Sequence, residues 1–178
     1  WIFFTSKNGV VNFFKHLIDL TGSSELPSAL RVAVVGAKTA SELEYYGYSA
    51  AFTGKKHGSA EMALEFCEVI KPRNRKILLS LGNLADDTFK NRLSDDNLVD
   101  RINVYETCEP RQVDPLVIKR ISDGAYNLIL FTSPSTINHF IALVDISLMG
   151  QLKIASTGTT PSKAIRRPDL SRCLPPIC

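Results

Sequence analysis

The chain alternates between short apolar runs of strand length and amphipathic stretches of helical spacing, and it does so on both sides of one proline-containing break. Ile2-Phe3-Phe4 and Val32-Ala33-Val34-Val35 are apolar throughout and mostly β-branched or aromatic. Between them Val10, Phe13, Phe14, Leu17 and Ile18 recur at helical spacing. Repeated βα alternation favours a parallel sheet flanked by helices, because parallel neighbours need crossover connections. Strands are expected over residues 1–4, 32–35, 49–52, 76–80, 102–105, 127–131 and 153–155. Helices are expected after Ser6, from Thr39, and over 59–70, 84–93, 116–121, 135–143 and 161–167. Thr39-Ala40-Ser41-Glu42 has the form of a capping box, and Gly47 that of a helix stop.

The break is residues 107–115, with Pro110, Pro115 and no periodicity. What lies before it is echoed after it. Ile2-Phe3-Phe4-Thr5-Ser6-Lys7 returns as Ile129-Leu130-Phe131-Thr132-Ser133-Pro134, and the stretch 32–39 returns as 153–160. Two similar α/β lobes are the simplest explanation: 1–106, a linker at 107–115, and 116–178. A hinge between such lobes would leave a cleft, where ligands commonly sit.

Charge and cysteine content narrow the function. Residues 1–107 carry 13 Lys+Arg against 13 Asp+Glu, and 108–178 carry 8 against 5. That scattered excess suits an acidic small ligand, not nucleic acid. Membrane spans are not expected, since every apolar run is strand-sized. Cys67, Cys108, Cys173 and Cys178 form no CxxC pair, and His16, His57 and His139 have no metal-ligand spacing. Reduced structural cysteines in a cytoplasmic protein are the expectation, although Cys173 and Cys178 would be able to pair if the terminus folds back.

Candidate ligand groups cluster where strands end. Thr5-Ser6 and Thr132-Ser133 stand at the carboxyl ends of their strands, the edge of an open α/β sheet that carries ligands. Both serines suit helix caps, with Pro134 at the first helical position, and free N–H groups there also suit a carboxylate. Gly36 and Gly158 precede helices, but neither a dinucleotide fingerprint nor a P-loop occurs, so those two sites are rejected and a nucleotide-dependent enzyme is disfavoured. Tyr105 ends a strand just before the break; it is either a packed edge residue or a proton donor to a leaving group. Lys55-Lys56-His57 is a short basic loop. No Ser/His/Asp set and no paired carboxylates stand out, so catalysis would have to rest on shape and hydrogen bonds.

Taken in order, these motifs resemble the uroporphyrinogen-III synthase family. Phe4-Thr5-Ser6-Lys7-Asn8-Gly9-Val10 is similar to its FTSxxxV segment, and Val35-Gly36-Ala37-Lys38-Thr39-Ala40 with Leu43 and Gly47 to its VGxxTAxxLxxxG stretch. Ser59-Ala60-Glu61 sits where the family has a serine-led helix. Leu78 to Asn83 resembles its LxxxG(N/E) element, Val104-Tyr105-Glu106-Thr107 its VYxT, Phe131-Thr132-Ser133-Pro134-Ser135 its FTSPS, and Gly158-Thr159-Thr160 its GxTT. Ser80-Leu81 departs from a Pro/Arg-type pair, and Pro161 stands where a second Thr is common.

The resemblance implies closure of linear hydroxymethylbilane to uroporphyrinogen III, with loss of water and inversion of ring D, by a monomeric enzyme needing no cofactor or metal. It implies that Tyr105 assists departure of the hydroxyl. Thr5, Ser6, Lys7, Thr39, Ser59, Gly82, Asn83, Ser133, Ser135 and Thr160 would line the cleft and hold substrate carboxylates. It also implies a further βα unit and a borrowed strand ahead of Trp1. The alternative is a two-lobed module that closes on a small anion without chemistry.

Overall fold

The computed structural model describes residues 1–55, 59–144 and 152–157. It separates into two compact units, Trp1–Thr107 and Cys108–Cys178. The first runs β1 (Ile2–Phe4), α1 (Lys7–Thr21), β2 (Val32–Val35), α2 (Gly36–Tyr45), β3 (Phe52–Gly54), α3 (Ser59–Ile70), β4 (Lys76–Gly82), α4 (Thr88–Leu93) and β5 (Leu98–Tyr105). Its strands form one parallel sheet in the order β3-β2-β1-β4-β5. Winding runs outward from β1 through β2 to β3, then restarts with β4 on the other side of β1. Connections therefore leave β1 and β4 in opposite directions, and a crevice opens at the carboxyl ends of these two strands.

The sheet is covered on both faces, which is why β1 and β2 are apolar throughout rather than alternating. Ile2, Phe4, Val32 and Val34 pack on Val10 and Phe14 of α1 and Leu43 of α2. The opposite face sets Phe3, Ala33, Ile77, Leu79 and Leu81 against Met62, Ala63 and Phe66 of α3 and Phe89 and Leu93 of α4. Aromatic rings lock both layers. Phe3 meets Phe66 edge-on at 4.6 Å between centroids, and Phe14 stacks on Tyr46 at 4.2 Å. Each fully buried Phe contributes about 1.5–3 kcal/mol relative to exposure.

Four expected boundaries are corrected. The strand expected at 102–105 is β5, which already begins at Leu98, opposite Lys76 of β4. Helix α2 starts at Gly36, not Thr39; Gly36 adopts φ 71°, which turns the chain straight from β2 into the helix. Thr39 thus lies inside α2 and is buried, so it is not a cap. Gly47 does end the helix, at φ 83°. The strand expected at 49–52 is β3, shifted to 52–54. The helix expected from residue 84 begins at Thr88, because the Ala85 N–H closes a turn on the Gly82 carbonyl (3.1 Å) and Asp86 Oδ1 accepts from the Thr88 N–H (3.1 Å).

The second unit holds α5 (Pro115–Ser122), β6 (Ile129–Phe131), α6 (Pro134–Leu143) and β7 (Ile154–Ser156). Strands β6 and β7 pair in parallel, with Ile129 opposite Ile154. Phe131 and Ile137 are buried among Ile129, Phe140, Ile141 and Ile154. The helix expected over 161–167 lies outside the described residues. Among the described residues, no helix is long and apolar enough to cross a membrane. The chain is an α/β protein built on parallel sheets flanked by helices.

Candidate functional site

Helix α1 places its N-terminus over the crevice. Ser6 is its N-cap, in extended conformation, and Ser6 Oγ accepts from the Gly9 N–H at 3.1 Å. Gly9 allows this first turn to ride close on β4: a Cβ there would stand 3.3 Å from the Ser80 carbonyl oxygen. Thr5 is half-buried between β1 and the cap. Lys7 opens the helix and pairs with Glu42 of α2 at 3.0 Å. Lys7, Lys38, Ser41, Glu42 and Tyr45 line a shallow depression.

Across the crevice, β5 delivers Tyr105. Leu81 of β4 pairs with Asn103, but the next residue, Gly82, pairs with Tyr105. Val104 is therefore an extra residue in β5, a bulge of the kind that re-aims a side chain. The ring of Tyr105 lies on Gly82, where a Cβ would approach Cζ to 2.6 Å. Its hydroxyl stands 3.4 Å from Ser6 Oγ. The loop after β4 is clamped to the chain after β5 by Asn83. Asn83 Oδ1 accepts from the Thr107 N–H (2.9 Å), its Nδ2 donates to the Thr107 carbonyl (3.2 Å), and its own N–H donates to the Tyr105 carbonyl (3.2 Å). Arg101 adds a tie, donating from Nη2 to the Gly82 carbonyl (3.3 Å) while its Nη1 pairs with Asp87 at 2.7 Å.

Thr5, Ser6, Lys7, Gly82, Asn83 and Tyr105 thus gather at one sheet edge. Thr39 is only 4% exposed, in the helix that follows β2. In the second unit Ser133 caps α6 with backbone angles of −148° and 154°, close to the −154° and 157° of Ser6. Ser133 Oγ lies 3.0 Å from Ser135 Oγ and accepts from the Thr136 N–H at 3.4 Å. The Thr-Ser repeat is therefore a repeated strand–cap–helix joint. Ser59 is the first residue of α3, but its side chain and Thr160 lie outside what is described. Sequence reading did not single out Arg101, His16 or Lys38. Lys38 follows Gly36 on the same strand-to-helix joint, a position that would have found it.

The fold is that of a doubly wound α/β protein, with hydroxyls, helix N–H groups and a lysine gathered at one sheet edge. The chain belongs to the uroporphyrinogen-III synthase family: the family model described as uroporphyrinogen-III synthase HemD matches residues 1–176. It is 29% identical over 171 residues to the porphyrin biosynthesis protein HemD of Ruminiclostridium josui, covering 96% of this chain and 34% of that protein. It is 30% identical over 171 residues to the uroporphyrinogen-III synthase of Chlorobaculum parvum, covering 93% of this chain and 69% of that protein. The chain thus spans about a third of one relative and about two thirds of the other. Two crystal structures of uroporphyrinogen III synthase from Thermus thermophilus share the fold. A triple mutant superposes with a TM-score of 0.63 at 17% identity, covering 93% of this chain and 67% of that one. The wild type gives 0.55 at 18%, covering 93% and 66%.

Proposed function

We propose that the protein closes hydroxymethylbilane to uroporphyrinogen III, with loss of water and inversion of ring D. The observation that carries this reading is the Tyr105 hydroxyl, 3.4 Å from the helix-capping Ser6 Oγ at the crevice between β1 and β4. Family membership supplies the substrate class.

In this reading Tyr105 donates a proton to the departing hydroxyl, which leaves as water. The electron-poor azafulvene that remains is attacked by the substituted carbon of ring D. The resulting spiro intermediate fragments and recloses with ring D inverted. The phenolate recovers the proton released when the last pyrrole regains aromaticity. The substrate also closes without help, to the uninverted isomer. What the enzyme must supply is a conformer held against that competitor, which is catalysis by positioning. That demand fits a site without a strong nucleophile. It fits carboxylate holders of the kind found here: the N–H groups of α1 and α6, the hydroxyls of Thr5, Ser6, Ser133 and Ser135, and Lys7. Gly82 and Asn83 shape the floor under Tyr105. Thr39, Ser59 and Thr160 are assigned to substrate binding by family resemblance.

The test is a product assay. The intact protein is given hydroxymethylbilane, the products are oxidised, and the porphyrin isomers are separated by chromatography. A large excess of the III isomer over the protein-free control is expected. Dominance of the I isomer with folded protein overturns the reading and leaves the anion-binding module.

A further inference from the structure

Tyr105 is aimed by the bulge at Val104, and a bulged residue loses its ladder partners, so something must hold it. Residue 104 keeps its side chain buried at 6% exposure. Its carbonyl is bonded to His16 Nε2, 3.1 Å away, on α1. The same helix carries Ser6 at its cap, 3.4 Å from the Tyr105 hydroxyl. Helix α1 therefore grips this stretch of β5 twice, through His16 at the root of Tyr105 and through Ser6 at its tip. In between, the ring rests on Gly82.

We propose that His16 is a positioning residue: by donating from Nε2 to the Val104 carbonyl, it holds the β5 bulge that lays Tyr105 over Gly82 with its hydroxyl beside Ser6. His16 does not touch the substrate in this account. It acts through the backbone of β5. The inference rests on the role proposed for Tyr105, but its core is geometric and is testable without turnover.

The experiment pairs a spectroscopic readout with a kinetic one in the intact protein. With 3-fluorotyrosine incorporated, the fluorine resonance of Tyr105 is assigned by its loss in Tyr105→Phe. In His16→Ala that resonance is expected to shift or broaden, while those of Tyr45, Tyr46 and Tyr48 stay in place. In His16→Gln, whose amide nitrogen reaches about as far as Nε2, the wild-type position is expected to return. Turnover of His16→Ala is expected to fall about three- to tenfold with little change in KM, the effect of one lost hydrogen bond. In a Tyr105→Phe background the same substitution is expected to add almost nothing, because both act through one hydroxyl. An unmoved Tyr105 resonance in His16→Ala overturns the proposal, as does failure of His16→Gln to restore it. A moved resonance with unchanged turnover sustains the positioning role and instead sinks the part given to Tyr105 in the reaction.

Discussion

A Cβ built on Gly82 would stand 2.6 Å from Cζ and 2.9 Å from the hydroxyl oxygen of Tyr105. No real contact is that short, so the ring occupies space that only glycine leaves open. Gly82→Ala must push the phenol off its seat. We expect turnover to fall about 100-fold, the usual consequence of displacing a catalytic group by an ångström or so. The half-buried ring can move outward, so the melting temperature should change little. A variant with wild-type turnover would show that the seat of Tyr105 does not matter.

Tyr105→Phe keeps the ring on Gly82 and removes only the hydroxyl. The substrate loses its own hydroxyl slowly without help, so turnover should fall about 10- to 100-fold rather than vanish, at or below the low end for proton donation by a side chain. Steady-state kinetics with isomer analysis checks this. The III isomer should persist in excess, since in the proposed reaction folding the substrate does not depend on this hydroxyl. Wild-type turnover removes Tyr105 from the mechanism.

The contrast between these two positions shows what sequence could reveal. Residues 2–4 and 32–35 announced buried parallel strands because both faces of each are covered, leaving no polar alternation to blur the signal. Ser6 and Ser133 announced their helices because capping is local chemistry. The first half of β5 was hidden: Asp100 and Arg101 place charge in an edge strand, and charge reads as loop. The Val104 bulge was hidden more deeply, since pairing register belongs to two strands and not to one stretch of chain. His16 carries no local mark at all; its partner lies 88 residues away. Thr39 misled because a capping-box pattern sat within a helix that Gly36 had already begun.

Ser80 is fully buried on β4, and its Oγ has no hydrogen-bond partner among the described residues. An orphaned hydroxyl costs about 1–3 kcal/mol. Ser80→Ala removes the polar atom and leaves a void smaller than a methyl group. We expect a gain of about 1 kcal/mol, or roughly 4–8 °C in melting temperature for a unit of this size. Denaturant titration of wild type and variant measures it directly. A loss of similar size would mean that the hydroxyl is satisfied in solution by a buried water.

Glu42 holds Lys7 at 3.0 Å, and the lysine side chain is 64% exposed. The carboxylate therefore competes with any substrate carboxylate for the cation at the start of α1. Glu42→Gln should lower KM about two- to fourfold, the scale of an exposed ion pair, and Lys7→Ala should raise it by a similar factor. Both effects should shrink in about 0.5 M salt, where exposed charges are screened. KM values unchanged in both variants would place Lys7 outside the substrate's reach.

The two described cysteines should separate in reactivity. Burial raises the Cys67 thiol above its ordinary range, with Arg92 opposing the shift and Asp96 and Glu68 adding to it. A raised pKa means less thiolate at any working pH, and the thiolate is the nucleophile. Cys108 is exposed just beyond the first sheet. With limiting iodoacetamide near pH 8, the peptide containing Cys108 should be alkylated first, and that containing Cys67 only after denaturation. Peptide mass spectrometry over a time course reads the order. Equal rates in the folded protein would mean that α3, which carries Cys67 against the Phe3 face of the sheet, opens far more readily than the packing of its Phe66 on Phe3 implies.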